Sequence, residues 1–553
     1  MVLARWSVYV RGFHTTARHL AKGKKSKGAD AKRQLLPPGW EAVIGIECHA
    51  QLKAPTKLFS ATPPPALHDA PNTHVAPFDA GFPGTLPCLQ HGAVTAAIKA
   101  ALALRCHIEP RSFFDRKHYF YADLPAAYQI TQKRKPFAHS GTVSIRFEDG
   151  YLASPDDALD VPIEQLQLEQ DTAKSTYVAT DADAHVTLLD YSRAGVALVE
   201  IVSAPVFRSS EQAGAYVRKL RQLLRCVGAS DGNMNEGSLR CDANVSIHKI
   251  GEPFGARCEI KNLNSVKFMM HALDYEIERQ YAQISAGKSI VQETRGFDEA
   301  RGTTHSLRRK EDAVDYRFMP EANVGPLLIT KAQVEEVRAS LPELPDARHE
   351  RLRSQYHLSV RDVNVLTRLN AEDDAAGPCL VPRLDGWEYK SDAVDFFEAL
   401  VRLECAPQVA ANWTIHLLPK HLGAAGVPFC HNPIPPVVIA ELIHLLSEEM
   451  ITQSTAQSIL RDMVQTSSFP HRHGQLCLRE WIREQGWQRL GIEELRPLCQ
   501  SIIDSFPDEV AAIQNGKTKV MMRLVGEAMR KGQGRADPEQ ITALLHDLVV
   551  AKA

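Results

Sequence analysis

Apolar and polar residues alternate along residues 42–52, so that Ile44, Ile46, Cys48, Ala50 and Leu52 share one side of the chain and Glu47, His49 and Gln51 the other. A repeat of two is that of a β-strand with one buried face. Further β-like runs occur at 143–147, 186–189, 195–202 and 241–248. Between them the apolar spacing lengthens to that of a helix at 93–104, where Val94, Ile98, Ala101 and Leu102 recur, at 211–227, and at 266–283, where Phe268, Ala272 and Tyr275 recur. This mixture predicts one large α+β domain over 38–330. After the proline-rich stretch 341–346 the pattern becomes helical, with Phe396, Phe397, Leu400, Val401 and Leu403 in register. A second proline-rich break at 431–436 precedes the stripe Val438, Ile439, Leu442, Ile443 and Leu446. Two all-helical domains are therefore expected, over 331–432 and 433–553.

Length and composition narrow the class. A chain of 553 residues exceeds one core, and 44% hydrophobic with 24% charged residues excludes wholesale disorder. The formal charge of −2 carries no global basic excess, so contact with nucleic acid has to rest on local patches. Eleven cysteines, odd in number and never spaced C-x-x-C, argue against a disulfide framework. No apolar run approaches the length of a membrane span. Residues 1–33 hold nine Lys or Arg and one acid, Asp30, the composition of a mitochondrial transit peptide ending by about residue 35. A basic RNA-binding arm is the other reading of that segment. Without its charge of +8 the remainder stands near −10.

Candidate chemistry comes from three places. Glu47 and His49, two apart on a strand, lie roughly 7 Å from each other and are able to converge on one metal ion, although a half-exposed strand with a polar face has the same pattern. Glu200 lies inside an apolar run, where a carboxylate needs a cation, a metal or hydrogen-bond donors; Arg193 is one such partner. Glu169, Asp171 and Lys174 cluster within 168–174, as either a site or a solvated turn. Two Gly-Lys-Ser/Thr triplets, at Gly287 and Gly516, lack the earlier glycine of a phosphate loop, having Ala282 and Ala511 in its place. The segments 114–121, 237–244 and 259–265 add Arg, Lys, Asn and aromatic side chains of the kind that stack on bases and pair with phosphate.

Taken together, the stretches 43–52, 82–87, 114–123, 128–132, 168–174, 190–205, 230–246, 259–265, 292–295, 310–320 and 516–538 resemble the B subunit of the tRNA-dependent amidotransferase that makes Gln-tRNA(Gln) from misacylated Glu-tRNA(Gln). The resemblance implies a cradle-like α+β domain with an antiparallel sheet, then a helical domain and a helical tail that reaches tRNA. It implies ATP-dependent phosphorylation of the γ-carboxyl of the tRNA-bound glutamate, followed by amidation with ammonia from a separate amidase subunit, in a matrix complex that also holds a small third subunit. By family position Glu47, His49 and Glu200 are the expected metal ligands, for Mg²⁺. Glu169 and Asp171 are further catalytic candidates, and Arg116, Lys117 and Lys174 are expected to hold phosphate or the substrate carboxylate. Gln170 stands where the family commonly has Glu, the best support for the alternative of a non-catalytic tRNA-binding scaffold subunit. Ala76 and Asp79 stand where some members carry zinc-type cysteines, so no zinc is expected. Ser192, Ala197 and Ala204 also depart from the family pattern.

Overall fold

The computed structural model describes residues 35–179, 185–309, 316–369, 392–468, 470–472, 475–514 and 517–551. The basic segment 1–33, residues 310–315 of the 310–320 motif, and Gly516 of the second triplet lie outside the described residues.

Nine strands form the central sheet: β1 (Trp40–Gln51), β2 (His107–Ile108), β3 (Ala138–Ile145), β4 (Leu159–Gln170), β5 (Ala197–Ser203), β6 (Leu239–Lys249), β7 (Cys258–Leu263), β8 (Glu293–Asp298) and β9 (Thr303–Arg309). Their spatial order is β9-β8-β7-β6-β1-β5-β4-β3-β2. All neighbours are antiparallel except β7 and β8. This is the mixed, mostly antiparallel α+β sheet expected from the sequence. Strand β1 sits near its centre between β5 and β6, and Ile44, Ile46, Cys48 and Ala50 are buried as their alternation predicts. They pack in one core with three helices, α1 (His91–Ala103), α2 (Ser210–Cys226) and α3 (Val266–Ser285), which contribute Ala97, Tyr216, Leu220, Met269 and Ile277. Ser209 and Ser265 cap α2 and α3 by accepting bonds from the backbone N–H of Gln212 and Phe268, a contribution of about 1 kcal/mol each. The sheet's opposite face is thereby left for polar side chains.

Two strands differ from their sequence reading. The run 143–147 belongs to β3, which ends at Ile145, because a 3₁₀ turn closed by left-handed Gly150 takes Phe147–Asp149. The run 186–189 joins no large sheet; His185–Asp190 pairs with Lys174–Ala179 as a separate hairpin.

A buried ion pair closes the long connection between β1 and α1 on itself, against the turn before β5. Lys57 Nζ lies 3.0 Å from Asp79 Oδ2 and donates to the His74 carbonyl at 2.6 Å, while Ser60 Oγ donates to the same Asp79 oxygen at 3.0 Å. Gly195, at φ +81, faces this carboxylate so closely that a Cβ would stand 2.4 Å from Asp79 Oδ1. The charge of Asp79 is thus matched by an ammonium.

The helical part holds two cores. One runs from Leu352 to Ile482 and the other from Leu490 to Val549. The 431–436 break, the sequence boundary between helical domains, lies within the first: Phe429 packs edge-on against Phe396 at 5.8 Å, and Ile434 and Ile439 are buried beside them. Pro436 opens the helix Pro436–Ser447 at its first turn, where its missing N–H has no consequence. Toward the sheet domain, Lys219 of α2 is 1% exposed and bridges Asp149, at 2.5 Å, and Asp346 in the first turn of Pro345–Tyr356. No described helix is long and apolar enough to cross a membrane.

Removing one partner of a buried ion pair leaves the other charge uncompensated. Asp79→Ala is expected to lower unfolding stability by about 3–5 kcal/mol, and adding Lys57→Met to recover most of it, as read by urea denaturation. A loss below about 1 kcal/mol would show that the pair contributes no more than a surface one.

Candidate functional site

Side chains from five neighbouring strands meet on the polar face. His49 on β1 stands opposite Glu200 on β5 and Arg240 on β6, and Glu47 stands opposite Asp242. Gln167 on β4 is across from Glu200, and Glu169, two residues on, is across from Leu198. Lys261 reaches in from β7 to bond Asp242 at 2.6 Å and Glu259 at 3.1 Å. Two-residue periodicity in each strand puts these groups on one side; the antiparallel register, which joins β1 to residues more than 150 further along the chain, makes them neighbours.

At the centre, one ligand atom from each of Glu47, His49 and Glu200 lies within 4.8 Å of the other two. The Nε2 of His49 is 3.2 Å from Glu47 Oε1, and its Nδ1 is 3.9 Å from Glu169 Oε1. Glu200 takes a hydrogen bond from the Gln167 amide. Arg193, one of the partners open to Glu200 from sequence, turns away to donate to the carbonyls of Thr172 and Ala173 and to approach Asp171. A hairpin of Asp115–His118 and Tyr128–Thr131 covers the cluster: Gln129 Nε2 donates to Glu169 Oε1 at 2.8 Å, and Lys117 Nζ stands 3.7 Å from Glu169 Oε2.

Burial and charge crowding together set the electrostatics. Burial opposes ionisation of Glu47, yet the bond and charge of His49, with Lys261 and Lys117 behind it, hold that carboxyl down at about 2. Burial also opposes a charged His49, and the hydrogen bond to Glu47 with the charges of Glu200 and Glu169 raises it to about 9. Glu200 is lifted to about 7, first by burial and then by Glu169 and Glu47. A face bearing this many carboxylates calls for positive charge, and a divalent cation meets the same need as the His49 proton. Two carboxylates and an imidazole suit such an ion, and the buried Oε2 of Glu169 beside them has no hydrogen-bond partner.

Cavities flank the cluster. One of about 610 Å³ is lined by His49, Tyr119, Glu169, Asp171, Arg240 and Lys261. Another of about 410 Å³ reaches Glu47 and Glu200 from the other side, past Lys133, Ser203, Asn244 and Arg257. Among the sequence candidates, Glu47, His49, Glu200, Glu169 and Lys117 come together here, and Asp171 lines the larger cavity with Arg240 at 2.7 Å. The stretch 168–174 is thus no solvated turn, since Glu169, Gln170 and Asp171 are buried. Arg116 is held elsewhere, by two bonds to Glu321 at 2.6 and 3.0 Å and by the Tyr128 ring. Lys174 is exposed at the start of the outer hairpin. The amide oxygen of Gln170 is buried without a hydrogen bond. Sequence reasoning singled out neither Lys261, Arg240, Asp242, Gln129 nor Gln167, although the first three lie in segments noted for their polar density.

A carboxyl that holds its proton more tightly folded than unfolded loses stability as pH rises from its ordinary 4.5 through its folded value near 7. Glu200→Gln is therefore expected to stabilise the cation-free protein at pH 8 by about 1–3 kcal/mol and to leave it unchanged at pH 4, as measured by urea unfolding in chelator. Equal stability at pH 8 would mean that the repulsion is already relieved.

Residues 42–335 match the GatB/GatE catalytic domain, and residues 395–549 match the GatB domain. The chain is 46% identical to the B subunit of the mitochondrial glutamyl-tRNA(Gln) amidotransferase of Mycosarcoma maydis, over 92% of this chain and 86% of that protein. It is 38% identical to the B subunit of the mitochondrial glutamyl-tRNA(Gln) amidotransferase of Danio rerio, over 93% and 90%. It is also 38% identical to the B subunit of the aspartyl/glutamyl-tRNA(Asn/Gln) amidotransferase of Carboxydothermus hydrogenoformans, over 92% and 98%. With both domains matched in order and relatives aligned over nearly their full length, the chain belongs to the family of the GatB/GatE catalytic domain.

Proposed function

We propose that this protein is the B subunit of a mitochondrial tRNA-dependent amidotransferase and that its polar sheet face activates the glutamate of Glu-tRNA(Gln) as an acyl phosphate, using ATP. The observation that carries this reading is the convergence of Glu47, His49 and Glu200 beside a cavity walled by Lys261 and Arg240. A carboxylate resists attack by ammonia because its oxygen leaves badly, and phosphorylation converts that oxygen into a good leaving group. Phosphoryl transfer in turn asks mainly for positioning and for neutralised charge.

Glu47, His49 and Glu200 would hold Mg²⁺, which when bound supplies neutralisation of phosphate oxygens. Lys261 and Arg240 face the larger cavity with donors suited to phosphate. Lys117, kept charged by Glu169 and Glu200 against the opposing effect of burial, offsets the repulsion that an incoming substrate carboxylate would meet. Gln167 and Gln129 fix the oxygens of Glu200 and Glu169. Asp171 is held by Arg240 and serves to aim that guanidinium. Ammonia comes from an amidase subunit, a small third subunit completes the assembly, and the complex works in the matrix, consistent with the basic leader and with relatives named as mitochondrial.

The test is release of γ-phosphate from ATP by the reconstituted complex with and without Glu-tRNA(Gln). Turnover is expected to require Glu-tRNA and to fall at least about a hundredfold in Glu47→Ala and in Glu200→Ala, with tRNA binding retained. Undiminished turnover in both variants would move the chemistry off this face.

A further inference from the structure

A cavity of about 820 Å³ lies where α2 meets the helices Pro345–Tyr356 and Val360–Arg368. Helix α2 lines it with Arg218, Arg221 and Arg225, whose spacing of three and four puts them on one face. Arg348 and Arg368 face them from the helical part. Two acids line the space, and both are engaged: Glu343 receives two bonds of 2.8 Å from Arg351, and Asp392 lies 3.3 Å from Arg348. Among the described residues neither Arg218 nor Arg221 has a carboxylate within ion-pair distance. Arg218 reaches the Met270 sulfur, at 3.6 Å, and the Tyr151 ring, at 5.9 Å, and Arg221 the Gly232 carbonyl, at 2.9 Å. Burial and the neighbouring guanidiniums push the pKa of both downward. Burying guanidiniums that face no carboxylate, as Arg218 and Arg221 do, costs folding free energy, which an anionic ligand would return.

This cavity adjoins the reaction cavity. Arg221 and Arg225 bond the carbonyls of Gly232 and Asp231, at the start of the loop 231–237. Further along that loop, Met234 and Asn235 line both spaces. A ligand seated on the arginines is therefore one wall away from His49 and Lys261. The space exceeds what a lone phosphate needs, and arginine forks suit phosphate oxyanions.

We infer that Arg218, Arg221 and Arg368 bind the phosphodiester backbone of the substrate tRNA close to its aminoacylated end, steering that end past the 231–237 loop into the reaction cavity. This rests on the function proposed above, and a free nucleotide is the other source of the same phosphate chemistry.

The experiment compares wild-type complex with Arg218→Gln/Arg221→Gln and Arg218→Lys/Arg221→Lys, reading direct binding of uncharged tRNA against salt and the KM for Glu-tRNA and for ATP. In the glutamine pair, tRNA binding and the KM for Glu-tRNA are expected to weaken tenfold or more. The slope of log affinity against log salt should fall by about 1.5, while the KM for ATP stays within twofold. The lysine pair should keep the salt slope and bind less tightly than wild type. Unchanged tRNA affinity and slope in the glutamine pair overturns the inference, as does a rise confined to the KM for ATP, which would assign the cavity to nucleotide. If the glutamine pair unfolds early, the lysine pair decides: affinity equal to wild type would then rule out guanidinium recognition. Wild-type complex that binds tRNA through these arginines yet never turns over ATP would refute the kinase reading alone.

Discussion

Three carboxylates, Glu47, Glu169 and Glu200, surround one imidazole on a sheet face largely shielded from water, and they are stable neighbours only with positive charge among them. Much of the surrounding structure answers that requirement. The hairpin over the sheet brings in Lys117, β7 brings in Lys261 and β6 brings in Arg240. Gln167 and Gln129 supply neutral donors to Glu200 and Glu169. Because the helices cover only the other side of the sheet, the acids have nowhere else to turn. The face is a fixed negative field with cations at its edges, suited to gathering a metal ion and phosphate in one place.

The helix-covered side made this possible. Ile44, Ile46, Cys48 and Ala50 anchor β1 in a core of small and aromatic side chains, so the strand cannot rotate to relieve the repulsion on its polar side. Hydrophobic burial on one face thus maintains electrostatic strain on the other. The same economy of faces recurs in α2, whose apolar side packs under the sheet while Arg218 and Arg221 look toward the helical part, and whose Lys219 links the two regions through Asp149 and Asp346.

Local periodicity carried a good deal of this. The alternation of β1 assigned its two faces correctly, the lone acid in the apolar run 195–202 marked Glu200, and the helices fell within a few residues of their predicted spans. Non-local pairing carried the rest. Nothing in the spacing of 237–244 or 259–265 says that Arg240 and Lys261 face His49; only the register across β6, β1 and β7 does. The resemblance offered Arg116 and Lys174 as phosphate ligands, and the sequence alone does not tell a basic residue paired with Glu321 or exposed on a hairpin from one aimed at a cavity. The prolines at 431–436 suggested a domain boundary, but a proline that begins a helix and one that ends a domain leave the same mark.

The antiparallel pairing of β1 has a consequence for how this gene tolerates change. From Glu47 to Ala50 each residue is matched on both sides, Glu47 with Val202 and Asp242, His49 with Glu200 and Arg240. One extra codon upstream of Glu47 that the strand absorbed by sliding would turn Cys48 outward and drive two charged groups into an apolar core. In-frame length variation is therefore expected to collect in the connecting loops, and this stretch to behave in heredity as a segment of fixed length whose letters vary only within their own face.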